Sequence, residues 1–137
     1  MERLKGSLIY LAGGIQYIPD LGVDWRKKAQ DYLQNLGIGV LNPMDKATNF
    51  ANEDTHTQSY LTELKNNLTI NKDKVYRKKI CEEISKIMKA IVSADLRMVD
   101  LSAALLVCID PTKHTAGTYA EMTQAALQRK PVICFCS

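Results

Sequence analysis

Apolar residues fall in short blocks along the chain, and the blocks switch between the period of a buried strand and the period of a helix. Residues 7–12 (SLIYLA) form a continuous apolar run stopped by Gly13-Gly14, which predicts a buried strand and a tight turn. Trp25, Ala29, Tyr32, Leu33 and Leu36 then recur at helical spacing until Gly37 ends the pattern. Residues 38–41 predict a second short strand closed by Asn42-Pro43, so the chain opens as strand, helix, strand. From Tyr76 the helical period returns in Ile80, Ile84, Ile87, Met88 and Ile91, and residues 94–102 continue it. In this helix Met88 is expected in the core. Ala104–Ile109 (ALLVCI) is apolar throughout, as a central parallel strand covered on both faces should be. A polar loop over 110–116 follows, then a helix from Gly117 to about Arg129, then a last strand over Val132–Cys136 behind Pro131.

Between these blocks, residues 45–74 are polar and rich in Asn, Thr, Asp and Lys. Tyr60, Leu61 and Leu64 predict only a short helix there, so about 45–75 reads as an insertion, either a lid or binding loop or a segment with no role. Strands alternating with helices predict an α/β fold: a flavodoxin-like, doubly wound parallel sheet of four to five strands with helices on both faces. The 137 residues suit a single domain over 1–137.

Composition narrows the class. Hydrophobic residues make up 46% and charged residues 24%, the balance of a soluble globular domain. The net charge of +3 helps an anionic ligand and is too small, with no basic stripe, for a nucleic-acid-binding protein. Arg77-Lys78-Lys79 is followed by Glu82 and Glu83, which reads as a solvated helix face. No segment has the length of a membrane span and no leader is evident, so a cytoplasmic protein without membrane partners is expected. Cys81, Cys108, Cys134 and Cys136 form no C-x-x-C pair, and they are expected to be buried free thiols of a reducing compartment. His56 and His114 lack ligand-spaced companions, so neither a metal nor a cofactor is expected.

In a doubly wound sheet, ligands bind outside the carboxyl ends of the strands where strand order reverses. Two loops should flank that crevice: 13–24 after the first strand and 110–117 after the central one. Gly13 and Gly14 allow close backbone approach, and Thr112, Thr115 and Thr118 offer hydroxyls. The helix starting near Gly117 directs its positive end at the site. The glycine pair has neither the spacing of a dinucleotide site nor that of a P-loop. Glu121 lies about one turn inside that helix, where a carboxylate is stabilised as an anion. Local sequence leaves it equally a nucleophile or a favourable first-turn acid. Asp95 and Asp100 end the long helix; Asp95 is a candidate proton donor, and Asp100 reads better as a loop or cap residue.

Four segments together resemble the nucleoside 2-deoxyribosyltransferase superfamily, which includes 2'-deoxynucleoside 5'-monophosphate N-glycosidases. They are Ile9-Tyr10-Leu11-Ala12-Gly13-Gly14, residues 95–102 (DLRMVDLS), Asp110 with residues 115–121 (TAGTYAE), and Ala125-Ala126-Leu127 with Lys130-Pro131-Val132. They cover most of the chain outside roughly 45–75. The resemblance implies that Glu121 is the nucleophile at C1' of a deoxyribose, that Asp95 protonates the departing base, and that Tyr10 orients the nucleophile. It implies substrate contacts at Gly13, Gly14, Gln16, Asn42, Asp110, Thr115, Gly117 and Thr118. The implied reaction is cleavage or exchange of the N-glycosidic bond of a deoxynucleoside or its monophosphate through a covalent intermediate on Glu121. The implied partners are that deoxynucleoside or deoxynucleotide and a free nucleobase, in a homo-oligomer. Two positions depart from the family pattern. Thr115 stands where many transferases carry an acid, and Gln16 stands where the monophosphate glycosidases carry an arginine. The competing reading is a non-catalytic module that binds a nucleotide-like signal.

Overall fold

The computed structural model describes residues 2–15, 18–45 and 55–136. Strand β1 (Leu8–Gly13) is followed by helix α1 (Val23–Asn35) and strand β2 (Gly39–Leu41). Helices α2 (Thr55–Ile70) and α3 (Lys74–Leu101) come next, then β3 (Ala104–Ile109), α4 (Ala116–Leu127) and β4 (Val132–Cys136). The four strands form one parallel sheet in the order β2-β1-β3-β4, flanked by helices on both faces. Among the described residues no helix is long and apolar enough to cross a membrane.

Burial explains why β1 and β3 are apolar without alternation. Tyr10 and Ala12 face α3 and α4, where they pack with Val99, Leu105, Val107 and Ala125, while Leu11 is buried on the opposite face. Helix ends follow from local chemistry. After α1, Gly37 adopts φ +75°, its N–H donates to the Gln34 carbonyl, and the Ile38 N–H donates to that of Leu33. That is a Schellman arrangement, which suits glycine. Helix α4 ends the same way, but with Arg129 at φ +58°. Lys130 then donates to the last carbonyls of α3, Val99 O at 2.6 Å and Asp100 O at 2.7 Å, and joins the two helices. Asp100 itself accepts from Gln124 and Gln128, so it braces α3 against α4.

The start of α1 carries a titratable brace. Asp20 accepts from the N–H groups of Gly22 and Asp24, each at 3.0 Å. The Asp24 N–H, above all, holds its carboxyl below the usual value, with burial opposing. A carboxyl depressed in the folded state contributes stability above its unfolded pKa, and that contribution is lost as pH falls through the folded value. Asp20→Ala should therefore cost less than about 1 kcal/mol at neutral pH, because the carboxyl is exposed and water screens it. The gap from wild type should narrow toward about pH 3, as read by urea unfolding at both pH values.

Three expectations need correction. The segment after residue 54 holds a sixteen-residue helix, α2, rather than a short one, and α3 begins at Lys74. Asp73 caps α3 by accepting from the Val75 N–H. Helix α2 packs along α3 and buries only Leu61 and Leu64, too few apolar positions to announce its full length. Residues 46–54 of the expected insertion lie outside the described residues. Cys81, Cys134 and Cys136 are exposed, and of the four only Cys108 is buried. Cys81 sits on the outer side of α3, while Cys134 and Cys136 lie on β4, an edge strand paired only with β3. Met88 is exposed and lines the crevice described next, because α3 outruns the sheet. Its 28 residues span roughly 42 Å, whereas six-residue β3 spans about 20 Å.

Candidate functional site

The strand order reverses between β1 and β3, and a crevice of about 310 Å³ opens there at their carboxyl ends. Its walls come from the end of β1, the first turns of α4, and the face of α3 that carries Met88, Ile91, Val92, Asp95 and Leu96. Helical spacing puts these five side chains on one stripe, so Asp95 is a carboxyl set in an otherwise apolar wall. It is 7% exposed.

Tyr10 is fully buried at the centre of the sheet, where a phenol hydroxyl needs an acceptor. Its Oη donates to Glu121 Oε1 at 3.0 Å. Glu121 rides on the second turn of α4, whose inner face is fixed by buried Thr118 and Ala125, and its carboxylate is half-buried at the crevice wall. Two carboxyl side chains, Glu121 and Asp95, thus line one small cleft, and one of them is oriented by a tyrosine. That is the arrangement required for one carboxylate to attack and one acid to protonate a leaving group.

The other expected site residues divide. Gly13, Gly14, Thr115, Gly117 and Thr118 line the crevice. A Cβ at Gly13 would lie 2.9 Å from the Trp25 ring, and one at Gly14 would lie 2.9 Å from the Thr115 methyl, so both positions need glycine for close approach. Space beside Gly117 is open. Asp110 does not line the crevice. It holds its own turn by accepting from the Thr112 hydroxyl at 2.6 Å and the Thr112 N–H at 2.9 Å, which keep its carboxyl below the usual value. Asn42 donates to Gln30 at 3.1 Å and accepts from the Met44 N–H, while its neighbour Pro43 reaches the crevice. Asn42 instead faces a larger, more open hollow of about 1210 Å³ between α1 and α2. That hollow contains neither Tyr10 nor either crevice carboxyl, so size does not make it the chemical centre. Gln16 lies outside the described residues. Among the described residues no group of three His, Cys, Asp or Glu side chains could hold a metal ion.

Sequence reasoning missed one polar crevice residue, Arg26. Arg26 is completely buried, and a signal for it existed. It stands three residues before Ala29 and seven before Leu33, on the apolar stripe of α1 rather than on its charged face.

The sequence model of the nucleoside 2-deoxyribosyltransferase family matches residues 9–137. No curated protein matches the chain by sequence. Among solved structures, the fold is similar to that of a 2-desoxiribosyltransferase from Leishmania mexicana, with TM-score 0.56 and 17% identity. That match covers 95% of this chain and 64% of the other, so the chain spans less than two thirds of that protein's length. It is also similar to the 2-deoxyribosyltransferase of the psychrotolerant bacterium Bacillus psychrosaccharolyticus, with TM-score 0.52 and 18% identity, covering 95% of this chain and 72% of that one.

Proposed function

The chain belongs to the nucleoside 2-deoxyribosyltransferase family, and we propose that it cleaves or exchanges the N-glycosidic bond of a 2'-deoxynucleoside or its 5'-monophosphate. What carries this reading is the 3.0 Å hydrogen bond from Tyr10 to Glu121 in a crevice that Asp95 also lines. A volume of about 310 Å³ lies at the lower end of the range for small-ligand sites.

In the proposed reaction the Glu121 carboxylate attacks C1' of the bound deoxyribose. The bond from C1' to the base nitrogen breaks, and Asp95, in its protonated form, gives that nitrogen its proton. A deoxyribosyl ester on Glu121 results. A second base, or water, then attacks C1', the bond from C1' to the Glu121 oxygen breaks to free the carboxylate, and the attacking group's proton passes to Asp95. Two displacements give net retention. Tyr10 holds Oε1, so the attacking lone pair is aimed before substrate arrives.

The test is direct. The protein is incubated with deoxynucleosides and deoxynucleoside monophosphates, with and without a second free base, and released base is followed by chromatography. Base release or exchange is expected, and its dependence on the second base separates transfer from hydrolysis. Tight binding with no product, undiminished in Glu121→Ala, would instead identify a non-catalytic binding module. Tyr10→Phe removes one hydroxyl and leaves the ring in the core. It should slow turnover roughly tenfold, the size of one hydrogen bond to a charged group, with only a small change in thermal midpoint.

A further inference from the structure

We propose that Arg26 is the positioning residue of the crevice, a buried guanidinium that sets the glycine wall against which the ligand lies. The proposal rests on reading the crevice as the nucleoside site. Strand β2 pairs with β1 only as far as Leu41 opposite Tyr10, and the chain then turns away through Asn42 and Pro43, which has no N–H to give. The end of β1 therefore outruns its neighbour. Arg26 meets it from α1: Nε donates to Leu11 O at 3.2 Å and Nη2 to Gly13 O at 2.8 Å. These carbonyls, two residues apart, point the same way from the strand. On its other side Nη1 donates to Gly22 O at 3.0 Å and Leu21 O at 3.4 Å. One planar fork thus ties the last residues of β1 to the loop that enters α1.

The surroundings are shaped to this group. A Cβ added at Gly22 would run into Nη1, and one at Gly13 would lie 3.5 Å from Nη2. The guanidinium carbon sits 4.8 Å from the centre of the Trp25 ring, and Trp25 packs edge-on against Phe135 of β4. Gly14, next to the tied carbonyl, lies against Thr115 at the start of α4. Arg26 therefore acts through Gly13 and Gly14 on the shape of one wall. Glu121 and the Tyr10 hydroxyl that orients it are held by the second turn of α4 and the middle of β1.

Arg26→Lys keeps the charge and loses the fork. With a 2'-deoxynucleoside as substrate it should raise KM roughly tenfold or more and leave kcat within about threefold. Gly22→Ala, whose methyl group at φ +70° would press on Nη1 and also on the Gly14 carbonyl, should raise KM in the same direction, and it carries the test if Arg26→Lys does not fold. A merely structural role would lower kcat together with the folded fraction at unchanged KM, and that result overturns the proposal. If wild-type protein releases no base at all, the function proposed for the crevice fails on its own. Arg26 is then judged by the backbone amide NMR signals of Gly13 and Gly14. Signals displaced in Arg26→Lys, with those around Glu121 unmoved, support the positioning role, and unmoved glycine signals overturn it.

Discussion

Glu121→Gln should abolish base release, with a loss of at least about a thousandfold, while the protein stays folded. The substitution is chosen for what it preserves. A glutamine oxygen accepts the Tyr10 hydroxyl as the carboxylate does, so the 3.0 Å contact at the end of the buried tyrosine keeps a partner. The helix face below it, with Thr118 and Ala125 against the sheet, is untouched. Only the negative charge goes, and with it the capacity to form an ester at C1'. Thermal unfolding should move by a few degrees at most, and substrate should still bind. Wild-type protein quenched during turnover should carry the mass of a deoxyribosyl group on the peptide containing Glu121, and the variant should not. Full turnover by Glu121→Gln would remove the nucleophile from the scheme and leave the carboxylate as a favourably placed acid near a helix start.

The two most deeply buried acidic or basic side chains of the crevice sit on apolar stripes in the sequence. Asp95 is in register with Met88, Ile91 and Val99 on α3, and Arg26 with Ala29 and Leu33 on α1. A charged side chain on the stripe that packs inward must be held by something, and this makes such positions informative. Asp95 was legible because the residues around it also fit a family pattern. Arg26 was masked despite its place on the stripe, because it stands in Trp25-Arg26-Lys27-Lys28, which has the look of an exposed basic run, and the strand carbonyls it serves, at Leu11 and Gly13, lie fifteen and thirteen residues earlier. Their availability follows from where β2 stops, a fact of sheet register that no local pattern contains.

The strands were legible for the opposite reason. Six-residue runs buried on both faces leave almost no choice of residue, and β1 and β3 are such runs. β4 has the same composition but lies at the edge, so Cys134 and Cys136 remain exposed where an apolar run predicted burial. A similar distinction separates Asp110 from the residues that line the crevice. Its position at the carboxyl end of β3 is right for a ligand contact, but Thr112 occupies its carboxylate within the turn. Residence at the ligand edge is necessary for a site residue and does not suffice.

Asp95→Asn should lower base release by about a hundredfold to ten-thousandfold, and the loss should depend on the base. General acid catalysis matters most when the leaving nitrogen is poorly able to carry the electron pair of the broken bond. A deoxyriboside whose leaving group departs readily as an anion needs no proton, so Asp95→Asn should turn it over at nearly the wild-type rate, while Glu121→Gln should fail with both kinds of substrate. This contrast separates an acid at the base from a residue that only shapes the α3 wall. An altered wall would slow good and poor leaving groups alike and would raise KM for both. The pairing can be examined further in the double variant. Once Glu121 is gone, removing the acid should cost little more, because the step that Asp95 assists no longer occurs. Equal losses for activated and ordinary deoxyribosides would take the proton-donor role away from Asp95, and the crevice would then hold one chemically active carboxylate rather than two.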